Sequence, residues 1–398
     1  MKPANSIFAN VGTSIFEVMS RLAIEHQSVN LGQGFPDGNG PDDVRSFAHT
    51  ALDDRPNQYP PMMGVPELRQ AVAAHNKRFY GIEADWQSEI LVTSGATEAL
   101  NDCINGLVEP GDEVVLIEPL YDSYLPTLKR AGAVPRLVRI APPDWELPRE
   151  ILRAAFSART KFILLNSPMN PAAKVFTRAE LSLIAELCRE FDCFAVCDEV
   201  YEHIIFDGRP HVPLMTLPGM RERTIRIGSA GKTFSLTGWK VGYLTGPRHL
   251  IEPIARCHQF VTFTTPPNLQ RATAYGLGKD DAYFRELAGG MQRSRDRLRQ
   301  GLDRIGFGAV DCQGTYFISA DFRPLLAKGP LRGFNGGDVD LCKKLTVEAG
   351  VTAIPVSAFY QSDPPPHFIR FSFCKKDETL DRAIERMAQY FGVNVDSG

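Results

Sequence analysis

At 398 residues, 43% of them hydrophobic, the chain is too long for one ordinary core and implies two packed units of a soluble globular protein. A formal net charge of -3, a pI near 6.3 and dispersed lysines and arginines exclude the broad basic face that a nucleic-acid partner needs. Eight scattered cysteines without paired C-x-x-C spacing exclude a zinc or dithiol centre, and the sequence has neither a secretory leader nor a bilayer-length apolar run, so it reads as a cytoplasmic, metal-free protein with reduced thiols.

In chain order, residues 1–40 read as an irregular arm between the units, broken by Gly32, Gly34, Pro36, Gly38 and Gly40, and as part of the smaller one. A large domain over 41–280 follows, in which short apolar runs alternate with amphipathic ones. Strands are expected at 90–93, 113–117, 161–165, 194–197, 224–227 and 241–245, rich in Val, Ile, Leu and Phe as buried parallel strands are. Leu181, Ile184, Ala185, Cys188 and Phe191 mark one helix at three- and four-residue spacing, and Thr177 with Glu180 forms a capping-box start. A smaller domain over 281–398 should contain a charged helix at 283–305, a strand at 314–320 and a Pro/Gly-rich loop at 324–337. A further helix, an alternating strand at 368–373 and a last helix complete it. The fold class expected is α/β, a mostly parallel sheet flanked by helices, with a smaller α+β domain.

Three features at strand ends could carry chemistry. In Thr93-Ser94-Gly95-Ala96-Thr97-Glu98 a strand stops at a small-residue turn and a helix begins, so free backbone N–H groups and the helix dipole could bind a phosphate. Asp198 directly follows the apolar run 194–197, where ligands of open parallel sheets sit. Lys232 lies in the loop Ser229-Ala230-Gly231-Lys232-Thr233, a setting that can sequester an amine for nucleophilic use. Each alone has an ordinary reading: a capped turn, a helix N-cap, a solvated lysine. Their joint order at the ends of one sheet is far more specific.

With further motifs, that order resembles the fold-type I pyridoxal-phosphate enzymes and, within them, the class I/II aminotransferases of the kynurenine, glutamine-phenylpyruvate and methionine group. The motifs are Asn30-Leu31-Gly32-Gln33-Gly34-Phe35-Pro36-Asp37, Asn57-Gln58-Tyr59, residues 118–124, Ser167-Pro168-Met169-Asn170-Pro171, Asp198-Glu199-Val200-Tyr201 and Phe368-Ile369-Arg370-Phe371. The resemblance implies pyridoxal 5'-phosphate as cofactor, held by Lys232, with Asp198 at its ring nitrogen, Asn170 and Tyr201 at its ring oxygen and Tyr121 stacked on the ring. It implies phosphate contacts from Gly95, Ala96, Thr97, Ser229 and Lys240, and from Tyr59 to the neighbouring subunit of a homodimer. Arg370 would clamp the substrate carboxylate, with Gly34 and Asn170 beside it. The implied reaction is ping-pong transfer of an amine from an L-amino acid, neutral and aromatic or sulfur-containing, or glutamine, to a 2-oxo acid. β-Elimination from cysteine conjugates is open on the same scaffold. A sensor domain of a transcription regulator would need a basic domain ahead of it, for which residues 1–30 are too short, and no G-x-G-x-x-G supports a nicotinamide enzyme. Ala172-Ala173 stands where relatives commonly carry Thr-Gly, so the turn after Asn170 loses a hydroxyl and a glycine.

Overall fold

The computed structural model describes residues 2, 4–9 and 11–394. Its strands, in chain order, are β1 (Val29–Asn30), β2 (Ile90–Ser94), β3 (Glu113–Glu118), β4 (Val134–Arg139), β5 (Thr160–Asn166), β6 (Phe194–Asp198), β7 (Thr224–Ser229), β8 (Val241–Thr245), β9 (Gly308–Ala309), β10 (Phe317–Asp321), β11 (Val351–Thr352), β12 (Ile354–Pro355) and β13 (Phe368–Ser372). The helices that matter for the site are α1 (Ile15–Glu25), α2 (Gly95–Leu107), α3 (Tyr124–Arg130), α4 (Arg178–Glu190), α5 (Arg248–Val261), α6 (Asp281–Ile305) and α7 (Asp377–Phe391).

A seven-stranded sheet runs in the order β2-β8-β7-β6-β5-β3-β4. Only β8 is antiparallel to its neighbours, so β2, β5, β6 and β7 point one way and end at one edge. The expected parallel strands are there because 90–94, 113–118 and 194–198 are apolar runs buried on both faces. β4 escapes sequence reading because it is an edge strand with alternating exposure and a proline, Pro135. The capping box of α4 forms, with Glu180 N–H on Thr177 Oγ1 at 3.2 Å and Thr177 N–H on Glu180 Oε2 at 2.8 Å.

The smaller sheet has the order β12-β13-β10-β9, with α6 packed against β9 and β10, and α7 packed against α6 and the β1–β11 pair. α6 starts at the Asp280 cap and stops at Gly306, whose φ of 108° no continuing helix allows. The strand expected from 314 begins only at Phe317, since Thr315 has a φ of 67° and Gly314 makes an isolated bridge to Ile205. The loop at 324–337 carries two short 3-10 turns, Arg323–Leu325 and Gly329–Leu331.

The arm needs correction. It is not irregular throughout: α1 is capped by Ser14, whose Oγ accepts from Glu17 N–H at 3.2 Å, and it buries Met19 and Ala23. β1 then pairs in parallel with β11, tying the arm to the C-terminal half. The Gly/Pro spacing of 32–41 dominates a reading of this region and hides the helical period before it. Among the described residues no helix is long and apolar enough to cross a membrane.

Candidate active site

The carboxyl ends of β2, β5, β6 and β7 form one wall of a cavity of about 390 Å³, and the arm and the small sheet close it from the other side. Gly34, Gly95, Ala96, Thr97, Tyr121, Asn170, Asp198, Tyr201, Ser229, Lys232, Lys240 and Arg370 all line it. Tyr59 does not: it is 84% exposed, its ring 5.6 Å from that of Phe263.

Lys232 sits in the one-turn helix Ala230–Thr233 that follows β7. Its Nζ donates to Tyr316 Oη at 2.8 Å and lies about 5.5 Å from the ring centres of Tyr201 and Tyr316. Burial pushes its amine down to about 8, against the pull of Cys374 and Asp198. Tyr316 in turn donates to the Gly34 carbonyl at 2.6 Å, which links the lysine to the arm. Gly34 has no room for a side chain, since a Cβ there would meet the Phe317 ring at 2.5 Å.

Asp198 closes β6 opposite Asn166 at the end of β5. Its Oδ2 accepts from Tyr124 Oη at 2.7 Å, and burial raises its pKa despite that bond. Asn166 Nδ2 donates to the Asp198 carbonyl at 2.9 Å and its Oδ1 accepts from Asn170 N–H at 2.8 Å, so adjacent strand ends are cross-linked. Arg370, in the middle of the small sheet, is 1% exposed rather than a surface residue. It donates from Nη1 to Asn170 Oδ1 at 2.8 Å and from Nη2 to the Gly32 carbonyl at 3.0 Å, while among the described residues its Nε has no partner. Its guanidinium carbon lies 3.8 Å from the Phe317 ring centre, and burial lowers its pKa to about 10. Tyr121 is pushed up to about 12, chiefly by burial, and stays a neutral aromatic wall.

Gly95 opens α2 with a φ of 73°, and the first-turn amides of a helix have no intrahelical acceptor. The Lys240 ammonium approaches this turn, 3.1 Å from where a Gly95 Cβ would stand. The donor set therefore suits pyridoxal phosphate: an anion seat of amides and a cation, a buried amine, a buried carboxylate and aromatic walls. Arg370 with its unpartnered Nε offers a further anion clamp.

Tyr124, Asn166 and Tyr316 also line or touch this constellation and were not legible as site residues. Tyr124 lies three residues after Tyr121 in a motif already singled out, which is a usable signal. Tyr316 has none, because only the small sheet brings it to Lys232.

The chain matches the family described as "Aminotransferase class I and II" over residues 26–387. It is 43% identical over 387 residues to a probable N-succinyldiaminopimelate aminotransferase of Mycobacterium tuberculosis, covering 94% of this chain and 96% of that one. A kynurenine–oxoglutarate transaminase of Dictyostelium discoideum is 39% identical over 410 residues, covering 95% of this chain and 94% of the relative. The solved structure of a methionine aminotransferase of Escherichia coli superposes with a TM-score of 0.93 at 37% identity, over 98% of this chain and all of that one (100%). This chain belongs to the class I and II aminotransferases, fold-type I enzymes that depend on pyridoxal phosphate.

Proposed function

We propose that this aminotransferase works by a ping-pong cycle on neutral L-amino acids, aromatic or sulfur-containing, with Lys232 as its central residue. The observation that carries the reading is the buried Lys232 amine, lowered to about 8 and held by Tyr316 in the middle of the cavity. When bound, pyridoxal phosphate supplies an aldehyde for an amine and a protonated ring that draws electrons from the substrate Cα. Lys232 would hold that group through its buried amine and would serve as the base that moves the substrate Cα proton. Asp198, oriented by Tyr124, would keep an anion at the ring nitrogen. Asn170 and Tyr201 would bind the ring oxygen, and Tyr121 would cover the ring face. Gly95, Ala96, Thr97, Ser229 and Lys240 seat the phosphate. Arg370, positioned by Asn170 and the Gly32 carbonyl, takes the substrate carboxylate, with Gly34 leaving it space.

Neutral side chains are supported by charge. Among the described residues the cations lining the cavity are Lys232, Lys240 and Arg370, each with a proposed task, and the remaining wall includes Phe16, Leu100, Tyr121 and Phe317. A substrate with a distal carboxylate, as in N-succinyldiaminopimelate, finds no further cation in this wall. Tyr59, Phe260 and Val261 are exposed apolar or aromatic residues that suit a homodimer in which Tyr59 reaches the partner's phosphate. A large unit at 41–280 and a small one at 281–398, sharing the arm 1–40, accord with the two main sheets, and the eight unpaired thiols accord with the cytoplasm.

Lys232→Ala tests the central assignment. The variant should fold, retain no cofactor covalently after borohydride reduction and lose about 10³-fold or more in turnover. Turnover near the parent rate would overturn it. Loss of cofactor absorbance on mixing with a panel of amino acids, including methionine, kynurenine and N-succinyldiaminopimelate, identifies the donor class. A preference for the last would overturn the neutral-substrate reading.

A further inference from the structure

Behind the first turn of α2 lies a buried polar cluster that the reaction does not use. His258 of α5 is 0% exposed, and both its ring nitrogens face acceptors. Nδ1 lies 2.9 Å from Glu98 Oε1 and Nε2 lies 3.1 Å from the Met62 carbonyl. A neutral imidazole carries one N–H and cannot donate to both, whereas the imidazolium satisfies both. Glu98 is itself in the first turn of α2, where its Oε2 accepts from Ser94 N–H and its Oε1 from Thr262 Oγ1. Asp102, one turn further, is fully buried, with Oδ2 3.7 Å from His258 Nδ1 and Oδ1 approached by Cys257 Sγ at 3.6 Å and Asn101 Nδ2 at 3.3 Å.

A helix start carries roughly half a positive charge, so an uncompensated carboxylate in its first turn would more than cancel what a phosphate seeks there. We infer that His258 is a positioning residue whose imidazolium neutralises Glu98, leaving the start of α2 electropositive toward the cofactor phosphate. This rests on the phosphate seat proposed above. The bond to Met62 extends the same clamp to the segment that follows Tyr59, so one cation fixes the seat and the strand of chain beside it. The titration behaviour agrees: hydrogen bonds to Asp102 and Glu98 outweigh burial and raise His258 to about 9, and bonds from His258, Thr262 and Ser94 hold Glu98 below its ordinary value despite burial.

The test compares pyridoxal phosphate with pyridoxal, which lacks the anion, in equilibrium binding to the full chain. His258→Gln, which can keep one hydrogen bond but not the charge, should weaken pyridoxal phosphate about tenfold and leave pyridoxal unchanged. Adding Glu98→Gln should restore the phosphate ligand. Glu98→Gln alone, which does not depend on the stability of the His258 variant, should bind pyridoxal phosphate no more weakly than the parent. Equal losses for both ligands, no loss for either, or weakened phosphate binding in the Glu98 variant would overturn the inference. Lys240→Met separates the two layers: if it loses the phosphate ligand while His258→Gln does not, the seat stands and His258 has no part in it. If neither variant loses it, the seat assignment fails as well.

Discussion

Lys232 and Arg370 are cations taken out of water by the same cavity, and both are lowered chiefly by burial. For Lys232 the folded value of about 8 lies below the ordinary 10.5, so the unfolded chain binds more protons between those values and stability rises with pH across that window. The neutral amine captures an aldehyde, so capture of pyridoxal phosphate by the apoenzyme should accelerate with pH to a midpoint near 8. A midpoint near 10.5, followed by stopped-flow absorbance, would show that the amine is solvated instead. At Arg370 the fork matters as well as the charge, because Nη1 and Nη2 are already directed by Asn170 and Gly32. Arg370→Lys keeps a point charge and loses the bidentate geometry, which should cost about 1.5–3 kcal/mol, or roughly 10- to 150-fold in kcat/KM, mostly through KM. Steady-state kinetics with cofactor occupancy measured in parallel checks it, and an unchanged KM would remove Arg370 from the carboxylate site. Both residues were nameable from the sequence through their motifs. The loop at Lys232 also signalled a sequestered amine, but the burial of Arg370 was not legible, since a strand arginine defaults to the surface.

The element where sequence reading left the backbone open is the turn after Asn170. Ala173 adopts a φ of 57°, the left-handed conformation a glycine would take without strain, and it is 1% exposed. The turn holds because Ala173 N–H donates to the Met169 carbonyl at 2.7 Å and its carbonyl accepts from Gln313 N–H at 2.9 Å and Gly314 N–H at 3.1 Å. Ala173→Gly relieves roughly 1–2 kcal/mol of left-handed strain. It gives up roughly 0.8 kcal/mol of buried methyl and about 0.4–1 kcal/mol through the freer unfolded chain. These oppose one another, so thermal unfolding should move by less than about 1 kcal/mol and cofactor affinity should hold. A large fall in affinity would mean that the alanine shapes the Asn170 contact. α1 teaches a related lesson: its helical period was present in Phe16, Met19 and Ala23, yet the following Gly/Pro spacing suggested an irregular arm, and packing decided otherwise.

At the scale of the molecule the exposed residues around 59 and 260–263 matter most, with Tyr59 at 84% and Phe260 at 83% exposure. An exposed patch of that kind suits the homodimer proposed above. Light scattering should find a dimer, and Phe260→Asp should shift it toward monomer with a parallel loss of activity; a fully active monomer would remove Tyr59 from the site. The sequence by itself determined the alternating architecture, the strand ends that bear Ser94, Asp198 and Ser229, and the lysine, because hydrophobic period and turn residues are local. Tertiary structure alone decided that Tyr316 holds Lys232, that Tyr124 holds Asp198 and that Arg370 is buried against Phe317. The first two pairs join residues 84 and 74 positions apart, and the bond that ties Arg370 of the small sheet to Asn170 spans 200. No local pattern encodes such distances; packing within the large unit brings Tyr124 to Asp198, and the small sheet and the arm over the ends of the large sheet bring the others together.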